Sequence, residues 1–366
     1  MKKIMFMMPN LNGGGAEKVL VDILNNLSTE KYDITLILLQ KEGIYLKKLN
    51  EKIKVKFLIK KNIFLERLQR YLIKYIPAFY YKMKIKDQYD VEIAFLEGQV
   101  TKLISNSKNK KSKKIAWIHT DLLKFNWVKR DFIGNQQEKC YKVFNELIFV
   151  SNDCKKSFDI MFKNNNNKYK IIHNPVIGED IIKKANEYNT EDNVLTVVAI
   201  GRLNKIKGFD RLLLSHKKLI KNYNHKLIII GEGSERENLE KKIRELNIEK
   251  SVELKGFLEN PYPFIKNSDV FVCSSRAEGY SLVVVEALCL GKAIVSTAVS
   301  GPKEILGKNE YGIICENSIE GIYNGLEIML KDKKVRRHYE KKAIARFNDF
   351  DSFKCLKKID DIISDI

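Results

Sequence analysis

The chain has 366 residues, 44% of them hydrophobic and 10% aromatic, with only six prolines and a formal net charge of +20. This length predicts two domains or one large α/β unit and excludes a peptide hormone, a small disulfide scaffold or a short adaptor. The apolar content excludes global disorder, and the charge predicts attraction to polyanions (nucleic acid, anionic lipid or phosphorylated small molecules) without choosing among them.

Cys140, Cys154, Cys273, Cys289, Cys315 and Cys355 contain no CxxC pair and sit mostly inside apolar segments, which reads as reduced, buried thiols. No apolar stretch approaches the roughly 18 residues of a spanning helix, and MKKIMFMMP reaches a proline before a leader's apolar region could form. The expectation is a cytosolic chain that is neither secreted nor membrane-spanning.

Short apolar runs alternate with charged, helically periodic segments, as strands linked by crossover helices do in parallel sheets. In chain order the first series of strands is predicted at Ile4–Met8, Ile34–Leu39, Val55–Ile59, Val91–Leu96, Lys114–Ile118, Leu147–Val150 and Tyr169–Ile172. The second is predicted at Val194–Ile200, Leu227–Ile230, Val252–Leu254, Val270–Cys273, Ala293–Ser296 and Gly312–Cys315. The polar stretch Val176–Asn193 between them suits a domain boundary. Residues 41–86 hold twelve Lys and two Arg against three Glu, so this stretch alone carries +11. Within it, Phe64, Leu65, Leu68, Tyr71, Leu72, Tyr75, Ile76 and Phe79 alternate with basic residues. Two readings stand: a helix lying on an anionic bilayer, or a crossover helix packed on its sheet with solvated lysines. Lys108–Lys114 reads as an exposed loop and Asn164–Asn167 as a turn.

Three segments carry the chemistry. Gly13-Gly14-Gly15 follows the first strand and opens a helix near Ala16, where bare backbone can approach an anionic or polyhydroxylated ligand, although neither GxGxxG nor GKS/GKT is present. Gly201-Arg202-Leu203-Asn204-Lys205-Ile206-Lys207-Gly208 follows the first strand of the second series, and Arg202 and Lys207 together suit a diphosphate. Glu278 and Glu286 stand eight positions apart around a glycine and a helix expected near Ser281. Such a helix end can hold phosphate, and a carboxylate accepts two vicinal hydroxyls, which fits Glu286 to a ribose and Glu278 to a sugar.

GGGAEKV (13–19), GRLNKIKGFDRLL (201–213) and SRAEGYSLVVVEALCLGKAIVS (275–296), with its Glu-x7-Glu spacing, resemble the retaining glycosyltransferases of family 4. The resemblance also takes in WIHTD (117–121), IFVS (148–151) and HNPV (173–176). It implies an α/β GT-B fold, two Rossmann-like doubly wound domains facing a central cleft. The first, 1–175, would bind acceptor; the second, 176–345, would bind a nucleotide sugar; and a C-terminal helix in 346–366 would return to the first. By the same resemblance Arg202 and Lys207 would neutralise the donor diphosphate and Glu286 would bind ribose hydroxyls. Glu278 with the amides of Gly279, Tyr280, Ser281 and Leu282 would hold sugar and phosphate. His119 would contact the sugar near the reacting carbon, and Gly14 and Gly15 would approach the phosphate or acceptor. No metal or other cofactor is expected. Asp349-Phe350-Asp351 is the sole DxD match and reads as chance.

Ser281, Ala293 and Ser300-Gly301-Pro302 before Glu304 depart from the commonest family pattern, which puts the donor's identity in doubt. The expected function is transfer of a hexose or N-acetylhexosamine from a UDP-sugar, with GDP-mannose second, to an undecaprenyl-diphosphate-linked saccharide. This belongs to bacterial capsule, lipopolysaccharide or other surface-glycan assembly at the cytoplasmic face of the membrane, peripherally bound. A UDP-sugar 2-epimerase of the same fold is the first alternative. A basic nucleic-acid-binding protein is the second, though no recognition-module pattern supports it.

Overall fold

A computed structural model describes residues 1–59, 63–162, 168–190 and 194–365; the expected turn at 164–167 lies outside these. The chain divides into two compact units, Met1–Pro175 with Ser352–Ile366, and Val176–Asp351.

The first unit is built on a parallel sheet of β1 (Lys2–Met8), β2 (Tyr32–Leu38), β3 (Lys54–Phe57), β4 (Val91–Ala94), β5 (Lys113–Ile118), β6 (Glu146–Phe149) and β7 (Lys168–Ile171). Its order is β3-β2-β1-β4-β5-β6-β7. The central strands are nearly continuous apolar runs because crossover helices cover both faces of such a sheet; Ile4, Met5, Phe6 and Met7 are all 0% exposed. The second unit repeats the plan with β8 (Leu195–Ile200), β9 (His225–Ile230), β10 (Val252–Gly256), β11 (Val270–Cys273), β12 (Ala293–Thr297) and β13 (Ile313–Cys315), in the order β10-β9-β8-β11-β12-β13. Its core joins Val197, Leu227, Ile229, Val270 and Val295 of the strands to Phe209, Leu212 and Leu326 of the helices.

The boundary between the units falls at Pro175/Val176, the start of the polar stretch 176–193, which also holds a helix. Gly178–Ala185 is a helix of the second unit that buries Ile181 and Ala185, and Gly178 packs so tightly that an added Cβ would meet the Phe347 ring at 2.7 Å. The C-terminal return also begins later than 346. Arg346 stays with the second unit, its guanidinium donating to the carbonyls of Ile305 at 2.8 Å and Glu304 at 3.1 Å. The helix Ser352–Ser364 belongs to the first unit, where it buries Ile359, Ile362 and Ile363. Lys2 Nζ donates to the Ser364 carbonyl at 2.9 Å and Lys113 Nζ to that of Ile362 at 2.9 Å, two cations at the negative end of a helix. The six cysteines are free, and Cys289 and Cys355 are only half-buried, unlike the other four. Among the described residues no helix is long and apolar enough to cross a membrane.

Candidate functional site

Strand order reverses in the second unit between β8 and β11, which pair through Val197–Val270 and Val198–Phe271. Strands on either side of a reversal send their following helices to opposite faces, which leaves an opening at their carboxyl ends. The loops 201–208 and 274–281 leave those ends side by side and are stitched together. Arg276 N donates to the Ile206 carbonyl at 2.6 Å, Ser274 Oγ to the Lys207 carbonyl at 2.8 Å, and Arg211 Nη2 to the Ser274 carbonyl at 2.9 Å. The Arg276 guanidinium forks onto both carboxylate oxygens of Asp210 at 2.7 Å. Gly208 closes the first loop at φ +68°, where a Cβ would stand 2.2 Å from the Ser274 carbonyl oxygen, so only glycine fits.

This stitching brings Lys207 and Glu278 together. Lys207 Nζ donates to Glu278 Oε1 at 2.5 Å, and Ser275 Oγ donates to the same oxygen at 2.7 Å. Burial weakens the hold of the Lys207 amine on its proton, but the Glu278 charge outweighs burial and raises its pKa above the ordinary lysine value, so Lys207 is a fixed cation. Arg202 stands exposed where the chain leaves β8. Gly279, Tyr280, Ser281 and Leu282 form a buried turn, with Ser281 as the N-cap of the helix Leu282–Cys289. The helix Ser300–Leu306 packs directly on this turn, since a Cβ at Gly301 would meet Tyr280 Cα at 2.5 Å. Thr297 Oγ1 donates to the Ser275 carbonyl at 2.6 Å and holds the turn's other end. Glu286, on the helix Leu282–Cys289, is 5% exposed, and Tyr262 Oη donates to its Oε1 at 3.2 Å. One unit thus presents a cation, a helix N-terminus and two carboxylates at the carboxyl edge of its sheet, a set able to hold a diphosphate and a pair of diols.

In the first unit the order reverses between β1 and β4. After β1, Gly13 turns at φ +100°, Gly14 caps the helix Gly15–Asn26, and Glu17 Oε2 accepts from Gly14 N at 3.0 Å. That helix starts one residue earlier than expected, and the amide of its N-cap is already engaged by a carboxylate of the first turn. His119 follows β5. Burial is the main cause holding its imidazole pKa down to about 3, against a bond to the Phe95 backbone that works the other way, so the ring is neutral. Its Nε2 is buried with no hydrogen-bond partner, and such orphaned atoms are rare enough to point to a ligand.

Several residues at these strand ends had no motif to announce them. Glu97, between β4 and the helix Gln99–Ser105, accepts at Oε1 from His119 N at 2.6 Å and Thr120 N at 2.7 Å. Tyr262 touches Glu286; Asp210 and Arg276, which lock two loops, lie inside the sequence motifs but were given no role there. The one signal for Glu97 in the sequence is an acidic residue between an apolar strand end and a glycine, AFLEG. Asp349 is paired locally with Arg346 at 3.0 Å.

Residues 179–346 match the model of the family Glycosyl transferases group 1. Over 192 residues the chain is 36% identical to the N-acetylgalactosamine-N,N'-diacetylbacillosaminyl-diphospho-undecaprenol 4-alpha-N-acetylgalactosaminyltransferase of Campylobacter jejuni, covering 51% of each chain. The chain thus spans about half the length of that relative. A second Campylobacter jejuni protein, GalNAc-alpha-(1->4)-GalNAc-alpha-(1->3)-diNAcBac-PP-undecaprenol alpha-1,4-N-acetyl-D-galactosaminyltransferase, is 26% identical over 359 residues, 96% of this chain and 95% of that one. Among solved structures, sucrose-phosphate synthase from Thermosynechococcus elongatus superposes with a TM-score of 0.81 at 14% identity over 99% of this chain and 98% of that one, which shows the GT-B fold. The match over 179–346 takes in both of the paired loops that follow β8 and β11, so the part of the chain similar to the group 1 glycosyl transferases is the part that carries this cluster.

Proposed function

We propose that the chain is a retaining glycosyltransferase of family 4 that moves a hexose or N-acetylhexosamine from a UDP-sugar to an undecaprenyl-diphosphate-linked saccharide in surface-glycan assembly. The observation that carries this reading is the cluster of Lys207, Glu278, Glu286 and the turn 279–282 at the carboxyl edge of the second sheet, in a chain whose relatives' names include transferases acting on diphospho-undecaprenol glycans.

In the proposed reaction the bond from the sugar's anomeric carbon to the β-phosphate oxygen breaks and the acceptor oxygen bonds that carbon on the same face. The acceptor proton passes to the departing phosphate, so no protein nucleophile is required. Arg202, Lys207 and the amides of Gly279–Leu282 stabilise charge building on the diphosphate, and this is the basis for proposing metal-independent transfer with no resident cofactor. Glu286 takes the ribose diol and Glu278 the donor sugar, while neutral His119 offers Nε2 as an acceptor to a sugar hydroxyl. Gly14 and Gly15 carry the backbone past the phosphate or acceptor. The first unit is the acceptor-binding domain, and the second, around 176–345, the nucleotide-sugar domain.

We also assign the basic first unit to the cytoplasmic face of an anionic membrane, as a peripheral protein. The helix Ile63–Tyr75, whose side chains are described from residue 65, turns Gln69 and Ile73 inward and leaves Leu65, Leu68, Tyr71 and Tyr75 exposed. The helix Pro77–Lys84 adds exposed Phe79 and Met83. Lys82 and Lys139 are also exposed, and Lys139 lines a recess of about 560 Å³ beside Tyr75, Phe79 and Val143. An outward apolar stripe flanked by cations matches a bilayer with anionic headgroups, which the reading of a helix packed apolar-side-in does not explain.

The test is release of nucleoside diphosphate from a panel of UDP- and GDP-sugars, with an undecaprenyl-diphosphate saccharide, with and without EDTA. One UDP-sugar turned over in the presence of EDTA, and lost with Lys207→Ala and Glu286→Ala, is the expected result. Silence across the panel, acceptor-independent epimerisation, or transfer untouched by both variants would overturn the proposal.

A further inference from the structure

We propose that Glu97 is a positioning residue that fixes His119 in place at the carboxyl end of β5. This inference rests on the transfer reaction proposed above and on the part given there to His119. The two residues are 22 apart in sequence, yet β4 and β5 pair in parallel from Val91–Lys113 to Ala94–Ala116, so the loops that leave them run side by side. Glu97 is 0% exposed, an uncommon place for a carboxyl group. Its Oε1 receives two short hydrogen bonds, from the backbone N–H groups of His119 at 2.6 Å and Thr120 at 2.7 Å.

The same short loop controls the imidazole. The Phe95 ring lies 5.0 Å from the His119 ring and is itself seated 4.8 Å from Trp117. With Nε2 buried and unpartnered, we assign the neutral ring the tautomer that leaves an acceptor at Nε2. Backbone and ring of His119 are therefore both held by residues 95–97. Gly98 then turns the chain at φ +91°, where a Cβ would meet Asp131 Oδ2 at 2.8 Å, so the segment carrying Glu97 has little room to shift. A buried acceptor for two backbone N–H groups, beside an orphaned imidazole nitrogen at a sheet's ligand-bearing edge, marks a residue of the site.

The experiment uses the full chain with Glu97→Ala, Glu97→Gln and Glu97→Asp, reading kcat, donor KM, UDP affinity and the imidazole 15N shifts of His119, assigned with a His119→Ala control. Glu97→Ala is expected to lower kcat about 10- to 100-fold, the cost of a misplacement on the order of 1 Å. UDP affinity stays within about twofold, because the second unit holds the nucleotide, and the His119 signals leave the single-tautomer pattern. Glu97→Gln, which keeps an acceptor oxygen, returns kcat to within about fivefold of wild type and restores the His119 signals. Wild-type kcat in Glu97→Ala, or lost kcat with unmoved His119 signals, overturns the inference. Where Glu97→Ala does not fold, the other two decide: Glu97→Asp, with its oxygens withdrawn by one methylene, must shift the His119 signals and Glu97→Gln must not. A wild-type chain that transfers nothing defeats the proposed function and leaves the His119 shifts to judge Glu97 alone.

Discussion

Lys207 Nζ and Glu278 Oε1 stand 2.5 Å apart, a cation assigned to the diphosphate paired with a carboxylate assigned to the sugar. With side chains 23% and 11% exposed, the pair is well shielded, and removing one partner strands the other. Lys207→Ala and Glu278→Ala are each expected to lower kcat by at least about 100-fold, while the double variant loses little more than the worse single one. A double-mutant cycle on kcat measures this, and strictly multiplicative losses would show that the two act separately.

Glu286 is oriented by Tyr262, whose hydroxyl donates to it from the short helix Tyr262–Lys266. Tyr262→Phe keeps the ring and removes one hydrogen bond to a charged acceptor, a loss of about 1.5–3 kcal/mol at most. UDP affinity, measured calorimetrically, is expected to weaken about 10- to 100-fold with kcat on saturating donor near wild type. Unchanged affinity would show that Glu286 needs no such support or does not meet the nucleotide.

The fold was legible because its signals are local. Val270–Cys273 is a four-residue apolar run, found as β11 with the same bounds, and the other runs differ from their strands by one or two residues at an end. Gly201–Gly208 and Glu278–Glu286 could be singled out because each motif lies along one stretch of chain. Glu97 was missed because its meaning depends on the pairing of β4 with β5, which no spacing reveals. The boundary at 175/176 was legible in the polar composition of 176–193, but the helix inside that stretch was not, because only Ile181 and Ala185, four apart among charges, seat it. Periodicity also left open which side of Ile63–Tyr75 is buried, since Gln69 faces in while Leu68 and Tyr71 face out.

The second unit buries a chain of imidazoles: His216 Nδ1 lies 2.9 Å from His225 Nε2, and His216 Nε2 2.9 Å from Ser251 Oγ. Burial first, then the neighbouring ring, lowers the His216 pKa to about 3, and burial lowers that of His225. Both folded values lie below the unfolded value near 6.5, so the unfolded chain binds more protons in this range. Their contribution to stability is full above about pH 6.5 and is lost as pH falls toward 3. At pH 5 His216 alone costs about 2 kcal/mol. The melting temperature of wild type is expected to fall between pH 7 and pH 5 by more than that of His216→Asn, and equal falls would place the acid sensitivity elsewhere. The comparison with the variant matters because Glu97, raised to about 7 chiefly by burial, works the other way, favouring the fold below its unfolded value and losing that contribution as pH rises to about 7.

Tyr71 and Tyr75 lie against each other with ring centroids 4.4 Å apart and planes tilted by 37° on the outward side of their helix, and Phe79 is 59% exposed on the next one. Rings facing water and flanked by cations gain by entering a bilayer interface, where aromatic bodies are buried and amines remain at the headgroups. Removing two rings, Tyr71→Ser with Phe79→Ser, withdraws roughly 1.5–3 kcal/mol each of apolar burial, and is expected to weaken binding to vesicles of phosphatidylcholine with about 30% phosphatidylglycerol by at least about tenfold. Transfer to a water-soluble acceptor analogue should stay unchanged, since neither ring belongs to the site. Wild type must also bind these vesicles more weakly as salt rises from about 50 to 500 mM, because screening shortens the reach of the basic segment's charge. Binding that ignores both the rings and the salt would remove the membrane from the account of this surface.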